Sequence, residues 1–184
     1  MVKFDSFVKR VIRELNRGEL EYALTGALAV SYYGRPRTTS DVDIIIRMTP
    51  SGFPGLAKVL RRAKLKVGEG ILERAWASKY RIASFEDSDG LRLDVMMTEE
   101  PVPRRPVKVL GEEAFLQDPT WLLLSKLRLM KVTVDGDRRS LDRQDVLSVL
   151  RNAEVDLDVL REESRRQLTF DVLEELLTDA ESLS

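Results

Sequence analysis

Apolar residues recur at helical spacing at the start of the chain. Phe4, Phe7, Val8, Val11, Ile12 and Leu15 predict an amphipathic helix over residues 3–17, closed by Gly18. "LEYALTG" then reads as a short strand, "ALAVSYYG" as a short helix closed by Gly34, and "RPRTTS" as a loop. In "DVDIIIR" the period changes to two. Val42, Ile44 and Ile46 share one face of a strand, and Asp41 and Asp43 share the other. "TPSGFPGLAKVLRRAKLKV" opens with turn chemistry and becomes a helix with a basic end, which suits the helix dipole. "KYRIASFE" and "LRLDVMM" alternate in the same way and are joined by "DSDG", a hairpin signal. "EEPVPRRPVKV" carries three prolines and reads as an edge crossing or loop.

From Asp118 the pattern becomes helical. "DPTWLLLSKLRLMKV" opens with an Asp cap and a proline at the first helical position. "VDGDRRS" is expected to be a turn and "LDRQDVLSVLR" a helix, with two further helical stretches to the C-terminus. The expected organisation is an α+β segment over residues 1–117 and a helical segment over residues 118–184. The acidic amphipathic end, "DVLEELLTDAESL", is a surface for the helical segment itself, a second copy or a partner protein.

Composition narrows the chemistry. The 184 residues contain no cysteine and no histidine. Thiolate chemistry, Ser-His-Asp catalysis and zinc sites of nitrogen and sulfur are therefore excluded. A metal would be held by oxygen, which points to magnesium, manganese or calcium. Charged residues make up 33% of the chain and the net charge is −1, so no global field favours a polyanion. Locally, "RRAKLK" and "RRPVK" are basic, and Trp76 and Trp121 are aromatic. A solvated helix end explains the first of these and core packing explains both tryptophans, with RNA binding as the alternative. No apolar run reaches the roughly 18 residues of a membrane span, and the N-terminus lacks a signal-peptide pattern, so a cytoplasmic location without membrane association is expected.

The residues left over carry charge where a core strand begins. Carboxylates at i and i+2 of a strand stand about 6.5–7 Å apart and can share divalent ions, which in two-metal sites lie about 3.5–4 Å from each other. If "LRLDVMM" lies beside "DVDIII", Asp94 faces the Asp41/Asp43 pair and an oxygen-only site results. A solvated strand edge would use the same residues. Upstream, a strand runs into Gly26 and directly into a helix. A glycine there admits a close backbone approach, and the helix start offers N–H groups to phosphate; a plain tight turn is the other reading.

This succession resembles the nucleotidyltransferase superfamily of the polymerase-beta type. The family motif is h-G-[GS], a gap of about 9 to 13 residues, then D-h-[DE]-h. Here "TGA" is followed by thirteen residues and "DVDI". Arg37-x-Thr39-x-Asp41-x-Asp43 is similar to the R-x-T-x-D-h-D form of small prokaryotic members, including toxins of abortive-infection and toxin–antitoxin systems. Lys126, Arg139, Asp142 and Asp145 are candidates for the K…R…D-x-x-D pattern in the helical part. The resemblance covers about residues 20 to 150. It implies a mixed β-sheet packed with helices and transfer of a nucleoside monophosphate from an NTP such as ATP, with pyrophosphate released. The acceptor is left open between RNA, protein and a small molecule. It further implies Mg2+ or Mn2+ on Asp41, Asp43 and Asp94, with Asp94 helping to activate the attacking hydroxyl. Gly26, the Ala27 backbone and Arg37 would contact phosphates, and Thr39 would order the loop. Lys126 is either a triphosphate contact or a solvated helix lysine, and the second is the simpler expectation. Ala27 departs from the motif, since Gly or Ser is usual there. The alternative is a nucleotide-binding or regulatory protein that keeps the fold with weakened catalysis.

Overall fold

A computed structural model describes residues 2–182. Among these, the chain forms eight α-helices and one six-stranded mixed sheet. It divides into two compact units, one holding residues up to Leu28 and Thr38–Gln117, the other Ala29–Arg37 and the residues from Asp118 onward. The stretch Ala29–Arg37 thus groups with the helical residues, and the chain passes from one unit to the other inside a helix.

In the first unit α1 (Val2–Arg17) buries Phe7, Val8, Val11, Ile12 and Leu15, the stripe expected from their spacing. It is followed by β1 (Tyr22–Thr25), the helix α2 (Gly26–Tyr33) that crosses between the units, and β2 (Asp41–Arg47). Next come α3 (Phe53–Arg62), α4 (Ile71–Ala77), β3 (Ile82–Glu86), β4 (Arg92–Thr98), β5 (Arg104–Val109) and β6 (Glu112–Gln117). The sheet order is β3-β4-β2-β1-β6-β5. β2 runs parallel to β4, and β1 parallel to β6; the other neighbours are antiparallel.

The alternation in β2 and β4 decides the architecture around the site. Val42, Ile44, Ile46, Leu93, Val95 and Met97 are buried on one face. The opposite face carries the charged residues at intermediate or high exposure. At the β3–β4 turn Asp87 is buried, and its Oδ1 accepts from the backbone N–H of Asp89 at 2.8 Å and Leu91 at 3.1 Å. Arg10 donates to its other oxygen at 2.7 Å, so the buried charge has a partner and the hairpin is held to α1.

Two elements in this unit are additional to the expected ones, α4 and β6. The last six residues of the three-proline stretch form the edge strand β5, where Pro106 sits at the sheet edge that tolerates a missing N–H; Pro101 and Pro103 precede the strand.

The second unit contains α5 (Pro119–Val132), α6 (Gly136–Asn152), α7 (Leu157–Arg166) and α8 (Phe170–Ser182). Leu183, the last residue of the expected C-terminal helix, lies outside the described residues. Three of these helices start on an aspartate cap. Asp118 accepts from Thr120 N, Asp135 from Asp137 N and Arg138 N, and Asp156 from Asp158 N and Val159 N. The expected turn over residues 134–140 is a correction: the Asp135 cap converts "GDRRS" into the first turns of α6. Leu122, Leu123, Leu127, Val146, Leu160, Leu173 and Leu176 form the apolar interior. Among the described residues no helix is long and apolar enough to cross a membrane.

Candidate active site

In the first unit β2 and β4 lie side by side in parallel, with Asp43 opposite Asp94 and Asp41 opposite Arg92. Paired residues of neighbouring strands share a face, so Asp41, Asp43 and Asp94 gather on the side of the sheet away from its apolar face. On the other flank β1 pairs antiparallel with β2, placing Thr25 opposite Asp43. The next residue, Gly26, starts α2 with φ +58. A Cβ built there would stand 2.1 Å from Asp43 Oδ2. The glycine is therefore required twice, by its left-handed backbone and by the carboxylate packed against it.

The loop before β2 orders Asp41. The Thr39 hydroxyl lies 3.2 Å from Asp41 Oδ1, and the Ser40 hydroxyl is at the same distance. Arg92 places Nη2 2.5 Å from Asp41 Oδ2 and 3.2 Å from Asp94 Oδ2. Burial pushes the Asp41 carboxyl up, but the Thr39 and Ser40 hydroxyls and the Arg92 guanidinium outweigh it, and the net shift is below the usual carboxylate range. Asp94, ahead of a smaller opposing effect of burial, together with Asp41, holds Arg92 above its ordinary value.

Among the described residues no three His, Cys, Asp or Glu side chains are gathered closely enough to hold a metal ion. Arg92 instead joins Asp41 to Asp94. The donor set nevertheless fits a hard divalent cation. It is all oxygen, and Asp94 Oδ1 is buried without a hydrogen-bond partner. Arg92 was not among the sequence candidates, although its position two residues before Asp94 puts it on the same strand face.

The second unit holds the candidate lysine in its interior. Lys126 is buried, 7% exposed, so the expectation of a solvated helix lysine is corrected. Its Nζ donates to Asp142 Oδ1 at 2.7 Å and Asp145 Oδ2 at 2.9 Å. Arg37 Nη1 reaches the same Asp145 oxygen at 2.5 Å. The result is a compact group of two cations and two anions. Arg139, by contrast, is exposed on α6. The stretch Gly34–Arg37 is pinned to α6: Arg35 N donates to Ser148 Oγ at 2.7 Å, and the Arg35 side chain reaches Gln144. Ser31 Oγ accepts from Arg37 N at 3.0 Å.

The remaining candidates are placed as follows. Ala27, 7% exposed, is the second residue of α2. "RRAKLK" shows its charged residues to solvent, while Arg104 of "RRPVK" stacks on Phe115 and donates to Tyr22 O at 2.9 Å. Trp76 and Trp121 are half-buried, and Trp76 packs edge-on to Phe53 under Arg81.

No protein-family model and no curated protein matches the chain. Solved structures do. The antibiotic-resistance factor ANT(2'')-Ia has a TM-score of 0.64 at 12% identity, covering 95% of this chain and 96% of its own. An antigenic nucleotidyltransferase-like protein from Paracoccidioides brasiliensis has a TM-score of 0.58 at 16% identity, covering 80% of this chain and 75% of its own. Lincomycin-bound LnuA, a lincosamide antibiotic adenylyltransferase, has a TM-score of 0.51 at 11% identity, covering 78% of this chain and 96% of its own. The chain therefore has the α+β fold of nucleotidyltransferases.

Proposed function

We propose that this protein is a metal-dependent nucleotidyltransferase that moves a nucleoside monophosphate from an NTP to an acceptor nucleophile. The observation that carries the reading is the β2/β4 register, which sets Asp94 beside Asp43 while Gly26 backs the same carboxylate. Asp41, Asp43 and Asp94 would hold Mg2+ or Mn2+. When bound, such an ion supplies neutralisation of phosphate charge and acidifies a bound hydroxyl.

The chain's own groups supply the rest. The N–H groups at the start of α2, Ala27 among them, offer donors to phosphate oxygens. Asp94, whose Oδ1 is buried and without a hydrogen-bond partner, would help to take the proton of the acceptor. The acceptor oxygen forms its bond to the α-phosphorus, the bond to the β-phosphate oxygen breaks, and pyrophosphate leaves with that electron pair. Arg37 lies in the loop before β2 and engages Asp145 through Nη1, which leaves its other N–H groups as further donors.

One structural neighbour is described in complex with adenylyl-2''-tobramycin and another as lincomycin-bound. Hydroxyl-bearing small molecules are accordingly the first acceptors to try, with RNA and protein next. The deciding experiment is calorimetric titration of a non-hydrolysable NTP with and without Mg2+, on the wild type and on Asp41→Asn/Asp43→Asn. Mg2+-dependent binding lost in the double variant supports the reading and licenses acceptor screening with labelled NTP. Absence of binding to the folded wild type, with Mn2+ also tried, overturns it.

A further inference from the structure

Arg92 is a cation at the carboxylate site that the proposed chemistry does not use. Its guanidinium spans Asp41 Oδ2 at 2.5 Å and Asp94 Oδ2 at 3.2 Å, two oxygens on neighbouring strands. It therefore stands where a cation shared by these carboxylates must stand. The contact is fixed by register: Asp41 is paired with Arg92, and Asp43 with Asp94, so the arginine lies diagonally between the two acids it bridges. Three aspartates on one sheet face repel one another, and the arginine supplies the opposing charge. It does so from a half-exposed position, 46% accessible, so it can leave without dragging core packing with it. Asp41 and Asp94 are 30% and 17% accessible.

We infer that Arg92 is a built-in counter-cation that occupies the carboxylate site in the metal-free protein and competes with the divalent ion for it. This rests on the reading of the site as a metal centre. An ion shared by Asp41 and Asp94 through the oxygens that Arg92 contacts would require the arginine to release both of them. The released side chain remains on the same strand face, two residues from Asp94. The competition makes metal binding weak in the absence of substrate and keeps the resting carboxylates from repelling each other.

The test uses Mn2+ alone as the probe, measured by electron paramagnetic resonance and calorimetry on the full chain. The variants are Arg92→Gln, Arg92→Lys and Asp41→Asn/Asp94→Asn. Arg92→Gln should bind Mn2+ about 3- to 20-fold more tightly than wild type, the range set by two partly exposed ion pairs. Arg92→Lys keeps the charge and should fall between them. Without metal, Arg92→Gln should melt below wild type, and Mn2+ should raise its melting temperature more than that of wild type, a readout that needs no activity. Mn2+ binding of equal or lower affinity in Arg92→Gln, lost in the double aspartate variant, overturns the competition and leaves the metal centre standing. Mn2+ bound by neither wild type nor Arg92→Gln at millimolar concentration overturns both.

Discussion

The buried ion group around Lys126 gives the sharpest energetic prediction. The Lys126 side chain is 9% exposed, Asp142 6% and Asp145 fully buried. Asp142 Oδ2 and Asp145 Oδ1 are already buried without hydrogen-bond partners. Lys126→Met keeps most of the side-chain volume and removes the ammonium. Asp142 then loses its cation, Asp145 retains Arg37 alone, and the group changes from neutral to one net negative charge. Removing one member of a buried pair costs about 3–5 kcal/mol. For a chain of this length each kcal/mol is worth about 2–4 °C, so the melting temperature should fall by about 6 to 20 °C. Trp121 lies on α5 with Lys126, so its fluorescence, read in a Trp76→Phe background, follows this unit. Lys126→Met/Asp142→Asn restores charge balance and should recover at least about 1 kcal/mol of the loss, a coupling that additive sites do not show. A cost below about 1 kcal/mol for Lys126→Met, or a double variant that is simply additive, would refute the picture of a dry, mutually compensated group.

Three further outcomes follow from single residues. Gly26→Ala forces a Cβ to within 2.1 Å of Asp43 Oδ2 at φ +58, and should cost about 1–3 kcal/mol while abolishing Mg2+-dependent NTP binding; Gly55→Ala in α3, with nothing within 4 Å, is the neutral or stabilising control in the same melts and titrations. Ala27→Ser supplies the hydroxyl the motif usually carries and should tighten NTP binding about 3- to 10-fold by calorimetry; an unchanged affinity would show that phosphate is held elsewhere. Tyr22 is fully buried, and burial, partly offset by Arg104 and the Phe115 backbone, pushes its phenol up to about 12. Its raised value favours the neutral folded form, so its contribution is complete below about pH 10 and is lost as pH rises toward about 12, roughly 2–3 kcal/mol in all. Phenolate absorbance should show one of the four tyrosines titrating only with alkaline unfolding.

How much of this could be read from the chain depends on the range of the interaction. The three aspartates were legible because strand alternation is a local property: period two put Asp41 with Asp43, and the same period in "LRLDVMM" separated Asp94 from its apolar neighbours. That the two strands are adjacent and parallel, with Asp43 opposite Asp94, is a long-range fact that only the structure supplies. Arg92 shares Asp94's alternation, but its significance lies in Asp41, across the strand pair, which no local pattern reveals. Lys126 looked solvated because its compensation comes from Asp142 and Asp145 on another helix and from Arg37 in a distant loop. α4 escaped because it is seven residues long and begins at Gly70 in a left-handed conformation with no side-chain cap. The start of α6 escaped because Asp135-Gly136, a turn signal in isolation, acts here as a helix cap.

The two charged groups should also part company in salt, and this separates a replaceable counter-cation from a structural one. Arg92 holds its carboxylates from a half-exposed position, whereas Lys126 and Asp145 are closed off from water. Screening acts over about 8 Å at physiological ionic strength and about 3 Å at 1 M, and acts mainly on exposed charges. Raising the salt therefore weakens the grip of Arg92 on Asp41 and Asp94. The ratio of Mn2+ affinities between Arg92→Gln and wild type should fall toward one, even though both affinities decline. Over the same range the stability penalty of Lys126→Met should hold nearly constant, because its partners meet no counter-ions. Melting curves and Mn2+ titrations at low and high salt test the pair of statements together. A Lys126→Met penalty that collapses in parallel with the Arg92 ratio would mean that the Lys126 group is hydrated, and that burial does not distinguish the two sites.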